Sequence, residues 1–271
     1  MIESRGARIG LRLAAALTLG FIYLPLAVIL LYAFSASRIQ SWPIESFTTD
    51  WFARAFENQG ARQALLTSIQ AGLGATAIAL VLGSAASFAV HRHRFFGREV
   101  ISFLVILPIA LPGIVTAIAL NGTFTQFLDI DLGVGTIIVG HATFCIVLVY
   151  NNVIARLRRT SASLEEASMD LGADAFQTFR YVTLPVIRTA LIAGGLLAFA
   201  LSFDEVIVTN LTAGQDFTLP VWILRSLSRP NQAPIVNAVA VVAVLLSVVP
   251  VYIAQRLAGG ETTRTGGAAT R

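Results

Sequence analysis

Two adjacent carboxylates, Asp204 and Glu205, sit in the run AFALSFDEVIVTN, which carries no other charge. An ionised side chain costs about 2.5 kcal/mol or more at the centre of a membrane span, so an acid in such a run marks a functional position by default. Neighbours in helical register point about 100° apart, so one acid can face a pathway while the other reaches water. Acids on a pathway suit a cationic solute; the competing reading is an exposed or structural role near the membrane surface. Other chemistry-bearing groups are sparse. His91 and His93 form an H-x-H pair in HRHRFFGRE, which reads as a solvated basic loop in preference to a metal site. His141 lies in an apolar run and reads as a polar packing contact, while Tyr150, Asn151 and Asn152 read as interfacial. Cys145 is the single cysteine. It excludes an internal disulfide or a thiolate cluster and reads as a small buried hydrophobe.

Covalent chemistry finds little support. All nineteen Lys-plus-Arg positions are arginine, so neither a G-x-x-x-x-G-K-[ST] phosphate loop nor a lysine Schiff base can be built. No H-E-x-x-H or G-x-S-x-G motif and no pair of intramembrane aspartates appears, which leaves an intramembrane protease without its groups. No catalytic residue, metal site or resident cofactor is expected.

The elements that hold these residues are set by hydropathy. The chain has 271 residues, 56% hydrophobic and 13% charged, against about 25% charged in soluble domains. Six segments satisfy the ~20 apolar residues that cross a bilayer: approximately 13–34, 65–90, 100–121, 133–155, 189–209 and 235–255. Asp204 and Glu205 are the only acids inside them. Arginines divide unevenly between alternate connections. Fourteen lie in the N-terminus, 91–99, 156–188 and the C-terminal tail; five lie in 35–64, 122–132 and 210–234. Positively charged loops stay inside, which places both termini in the cytoplasm. Residues 1–258 read as one membrane domain and 259–271 as a polar, disordered tail. The second segment is rich in Gly, Ala and Ser, as close helix packing in lipid requires. The third carries Leu107-Pro108 and Leu111-Pro112, either as packing strain or as a kink lining a pathway. The connection 35–64, with Trp42, Trp51, Phe52 and Phe56, reads as an interfacial aromatic element.

The loop from Arg156 to Arg188 is longer than a connection needs. Ser163-Leu164-Glu165-Glu166 matches a capping box and predicts a helix starting at Ser163. Leu164, Ala167, Ser168 and Leu171 share one small, mostly apolar face, and Gly172 is a natural stop. Asp174 can cap a second short helix carrying Phe176, Phe179 and Val182, ended by Leu184-Pro185. The element could rest on lipid headgroups or dock a soluble partner.

Glu166-Ala167-Ser168, Gly172 and the later Leu184-Pro185 resemble the EAA loop of the membrane subunits of binding-protein-dependent ABC importers. Ser168 replaces the second alanine of that pattern. Phe52-Ala53-Arg54-Ala55-Phe56, the Leu-Pro pairs, Ser202-Phe203-Asp204-Glu205 and Thr218-Leu219-Pro220 are similar to the spermidine/putrescine-type C permease branch. The resemblance implies an all-α, type I importer permease of six transmembrane helices in the bacterial inner membrane. The loop (about 160–185) would be a coupling element, with Glu166, Ala167 and Gly172 docking on a cytoplasmic ATPase. The chain would form half of a pathway for a small solute such as putrescine or spermidine, with Asp204 and Glu205 as pathway candidates. Its partners would be a second permease, two ATPase copies that bind ATP and Mg, an external solute-binding protein and membrane lipid, with no nucleic acid. The alternatives are a permease of the same family for another small solute, or a non-transporting membrane scaffold.

Overall fold

In hydrocarbon a backbone polar group left unpaired costs several kcal/mol, so an apolar chain of this kind satisfies its backbone within helices. The structure, a computed structural model, describes residues 5–259 apart from Arg94 and Pro230; of the expected tail 259–271, only Gly259 is among the described residues, as the end of a helix. The helices run α1 (Arg5–Ala33), α2 (Asp50–Glu57), α3 (Gln59–Arg92), α4 (Arg98–Ala110), α5 (Gly113–Gly122), α6 (Val134–Arg158), α7 (Ser163–Asp170), α8 (Ala175–Thr178), α9 (Leu184–Phe203), α10 (Ile207–Thr212), α11 (Leu219–Leu227) and α12 (Ala233–Gly259). Wider π turns follow α5 at Thr123–Phe127 and precede α9 at Phe179–Thr183. Among the described residues five helical stretches are long and apolar enough to cross a membrane. A sixth crossing forms if the bent pair α4–α5 counts as one.

The third span, expected to carry packing strain or a kink at its Leu-Pro pairs, is sharply bent. Of its two prolines, Pro108 is absorbed within α4, whereas α4 and α5 meet at 102° around Leu111-Pro112. A proline ring disfavours helical geometry in the residue before it, and Leu111 is accordingly extended (φ −82°, ψ 146°).

The described residues fall into two compact units, one drawn from residues 5–62 and 223–245, the other from 63–222 and 246–259. In the first, the connection after α1 folds back on itself. Trp51 is buried and its Nε1 donates to the Ser35 carbonyl at 2.7 Å. Arg54 stacks over the Trp51 ring, and Phe34 packs on Phe52. Only Trp42 and Phe56 of the expected aromatic belt are well exposed; Trp51 is a core residue because its indole N–H needs the partner Ser35 provides.

In the second unit α6 is the central helix. It buries side chains around most of its circumference, from Ile137 through Cys145 to Leu157, as expected of a helix that is apolar on every face. With no hydrophobic drive between helices in lipid, close packing must hold the bundle, and α3 supplies it through Ala71, Ala75 and Ala79, all fully buried. A Cβ at Gly83 would stand 2.9 Å from the Ile146 carbonyl oxygen, so only glycine permits this approach of α3 to α6. Tyr150, expected at the interface, is instead buried here, its hydroxyl 3.0 Å from Ser102 Oγ on α4 and its carbonyl 3.1 Å from Ser87 Oγ on α3.

Candidate functional site

The patterned loop forms two short helices joined by a tight turn. The helix α7 begins at Ser163, but Ala162 holds the cap position, and Ser163 Oγ turns to Ser161 Oγ at 2.7 Å. The expected capping box is therefore absent at this end. The Ala162 carbonyl has already accepted the Glu165 and Glu166 amides, so Ser163 falls inside the first turn. The far end follows the expectation. Gly172 N donates to the Met169 carbonyl (2.9 Å) and Ala173 N to the Ser168 carbonyl (3.1 Å), with Gly172 at φ +91°. This is a Schellman closure, which needs a left-handed residue at that place. Asp174 then caps α8: its Oδ1 accepts from Gln177 N (2.8 Å), while Gln177 Oε1 accepts from Asp174 N (2.9 Å). Ser168 Oγ and Thr178 Oγ1, 3.2 Å apart, link α7 to α8; alanine at position 168 could not make that bond.

Leu184-Pro185 does not end the second helix. The chain stays helical from Ala175 to Phe203. The π turn at Phe179–Thr183 leads directly into α9, and Pro185 sits in the first turn of α9. The loop is thus joined directly to a membrane-spanning helix.

The three expected docking residues, Glu166, Ala167 and Gly172, lie on one turn and its closure, and all three are exposed. Space around Gly172 is open: a Cβ placed there would meet nothing within 4 Å. Leu164, Met169, Leu171 and Phe176 are also exposed, Leu171 at 90%. Sequence reasoning missed Glu165. Its Oε2 pairs with Arg92 Nη2 at 3.1 Å, at the end of α3, and its Oε1 accepts from Thr183 Oγ1 at 2.6 Å, at the start of α9. A carboxylate in the first helical turn next to a basic loop was the available signal; the partners, 73 and 18 positions away in sequence, were not legible.

Asp204 and Glu205 do not share a helix. The helix α9 stops at Phe203; Asp204 is its exposed C-cap. Glu205 turns back to cap α10, its Oε1 accepting from Ile207 N (2.9 Å) and Val208 N (3.0 Å). The two acids therefore differ in role: Glu205 spends one carboxylate oxygen on the backbone, and Asp204 is the freer group. His141, fully buried on α6, braces this break from both sides. Nδ1 lies 2.7 Å from Ser202 Oγ, and Nε2 lies 2.8 Å from Thr209 Oγ1. Thr209 gives its only hydroxyl hydrogen to the Glu205 carbonyl at 2.9 Å, which assigns the ring proton to Nε2 and leaves Nδ1 to accept from Ser202. The expectation of a packing contact holds for His141.

The two interrupted stretches meet. Asn121 Nδ2 on α5 donates to the Leu211 carbonyl on α10 at 2.6 Å, and Thr136 Oγ1 on α6 lies 2.7 Å from the Thr212 carbonyl. Gly214, at φ +60°, turns the chain so closely over Leu132 that a Cβ would stand 2.5 Å from its carbonyl oxygen. Irregular backbone at membrane depth is stable only where protein or a water-filled cavity satisfies it, and broken helices are where membrane transporters place solute sites.

Residues 79–260, which hold the exposed α7 turn and both breaks, match the family described as "Binding-protein-dependent transport system inner membrane component". The chain belongs to this family. It is a membrane permease of the importer type, and its apolar helices place it in a membrane. The chain is 32% identical over 248 residues to the spermidine/putrescine transport system permease protein PotC of Shigella flexneri, covering 91% of this chain and 93% of the relative. It is 32% identical over 228 residues to the putrescine transport system permease protein PotI of Escherichia coli K12, covering 81% and 80%. A putative 2-aminoethylphosphonate transport system permease protein, PhnV, of Salmonella paratyphi A is 29% identical over 222 residues, covering 81% and 83%. Among solved structures, a bacterial ABC transporter involved in import of the acidic polysaccharide alginate shares the fold (TM-score 0.70, 18% identity, 94% of this chain and 99% of that one). So does the MetNI methionine ABC transporter (TM-score 0.58, 21% identity, 79% and 95%). The type I importer permease fold follows from this agreement.

Proposed function

We propose that this permease forms half of the translocation pathway of an ATP-driven importer of polyamines such as putrescine or spermidine. The observation that carries the reading is the near-full-length identity to a spermidine/putrescine permease. Both termini are cytoplasmic in this reading, as the arginine distribution favours. A second permease completes the pathway, an external binding protein delivers the solute, and two cytoplasmic ATPase subunits bind ATP and Mg and do the hydrolysis; this chain carries no cofactor of its own.

The geometry supports a division of labour. The turn of Glu166, Ala167 and Gly172 is the docking surface, and Glu166 offers a charge-assisted bond to a basic ATPase residue. Glu165 carries the movement inward, because it holds both α3 and the start of α9. Asp204 is the pathway acid that meets a cationic solute, and Glu205 shapes the break beside it. The similarity to a putative 2-aminoethylphosphonate permease favours a second reading, a permease of the same family for another small organic solute. The test is a thermal-shift screen of the cognate binding protein, expressed from beside this chain, against small cations and anions. Selective stabilisation by a polyamine supports the first reading; selective stabilisation by an anionic or neutral solute replaces it with the second.

A further inference from the structure

A cleft of about 320 Å³ opens between the ends of α6 and α9 that the 156–188 loop connects. Asn151, Asn152, Ala155 and Arg156 line it from a single face of α6, Arg159 from that helix's C-cap, and Thr189 from α9. The floor is tight because the helices approach closely: a Cβ at Gly194 would meet Asn152 Cβ at 3.3 Å. Arg156 is half-buried and fixed in place, its Nε donating to the Val186 carbonyl at 2.9 Å. Arg159 is exposed at the rim and, among the described residues, forms no ion pair. Asn152 gives one amide hydrogen to the Leu148 carbonyl at 2.8 Å, leaving its second hydrogen and its oxygen for a guest. Among the described residues, no carboxylate lines the cleft.

We infer that this cleft binds a phosphate-bearing anion at the cytoplasmic membrane surface. The Arg159 guanidinium and the Asn151 and Asn152 amides offer donors, and Arg156 adds a second positive charge. Arginine matches phosphate oxygens in bidentate geometry. Basic pockets between membrane helices on the cytoplasmic side are where anionic lipid headgroups lodge. A polyamine is repelled by the same charges, so the cleft is distinct from the cation pathway at Asp204. The headgroup of an anionic phospholipid and free phosphate share this chemistry. Occupancy would tie the α6–α9 seam, and with it the attachment of the coupling loop, to the composition of the inner leaflet. The inference rests on the cytoplasmic placement of this end given above.

The test uses the full chain purified with its partner subunits in neutral detergent. Thermal unfolding is followed while the complex is titrated with dihexanoyl-phosphatidylglycerol, with dihexanoyl-phosphatidylcholine, and with inorganic phosphate. Phosphatidylglycerol is expected to raise the melting temperature, and Arg159→Gln to raise the concentration needed for half the effect about tenfold, the loss of one charge-assisted contact. Ala155→Leu fills the cleft while keeping both arginines and should weaken the response similarly. Arg158→Gln, outside the cleft, should leave it unchanged. A response to inorganic phosphate as large as that to the lipid assigns free phosphate; a response to the lipid alone assigns a headgroup. Equal responses to the two lipids, or an undiminished response in both cleft variants, would overturn the site. So would a cross-link from Asn151→Cys to another subunit, which would put protein in the cleft. No transport is read in this assay, so its failure leaves the polyamine reading standing, and a wrong solute leaves the cleft standing.

Discussion

Arg92 and Glu165 stand 3.1 Å apart, joining the last turn of α3 to the first turn of α7. The same carboxylate accepts from Thr183, so one side chain fastens the exposed loop to two helices. Both partners are partly exposed, and a pair of this kind contributes only about 0–1 kcal/mol to stability. Its value lies in geometry. Glu165→Ala should therefore leave complex yield and melting temperature nearly unchanged while lowering solute uptake per ATP hydrolysed several-fold. The charge-reversed pair Arg92→Glu with Glu165→Arg should recover part of that loss. Uptake and ATPase activity measured together check this, and a double variant no better than either single one counts against the link.

Gly172 separates backbone from bulk. At φ +91° an L-residue carries a strain of about 1–2 kcal/mol, yet nothing within 4 Å opposes a side chain. Asparagine tolerates left-handed geometry, so Gly172→Asn should insert normally and retain ATPase association. Gly172→Leu adds both strain and volume at the docking surface and should lose association with membrane insertion intact. Co-purification of the ATPase reads the difference, and full retention by the leucine variant would remove Gly172 from the docking surface.

The division between Asp204 and Glu205 gives opposite outcomes. Asp204→Asn should reduce uptake of a cation with little change in stability, since its side chain lies exposed at the end of α9. Glu205→Ala removes the oxygen that accepts two α10 amides and should destabilise the protein by about 0.5–2 kcal/mol, the usual value of a cap. Melting curves and uptake for both variants distinguish the roles; uptake at the parent level for Asp204→Asn would take that residue off the pathway.

Replacing His141 tests the brace across the break. His141→Ala leaves a cavity, strands the Ser202 hydroxyl hydrogen and removes the donor to Thr209 Oγ1, a loss on the order of 2–4 kcal/mol. His141→Gln, which can bond at one end, should recover part of it. Thermal unfolding in detergent reports the result, and an alanine variant as stable as the parent would show that the ring bears no load.

How legible the fold and the site were in the sequence depended on range. Hydropathy located the crossings, and local codes located Gly172 and the Asp174 cap, because Schellman closures and capping boxes are decided within a few residues. Ser163 misled by one position, since a serine two residues earlier competes for the same bonds. Pro185 misled because a π turn, set by tertiary packing, lets the helix run through it. The helix break at Asp204 carried no proline or glycine, so the run looked continuous. Tyr150 and Glu165 were misjudged or missed for one reason: their partners, Ser102, Arg92 and Thr183, are distant in the chain.

Import of a polyamine is tested most directly by uptake of labelled putrescine and spermidine into proteoliposomes holding this chain, its neighbouring permease, the ATPase and the binding protein. The expected result is accumulation that needs ATP on the cytoplasmic side and the binding protein, and that is lost with Gly172→Leu. Accumulation of a different solute under the same conditions, with neither polyamine entering, would contradict it.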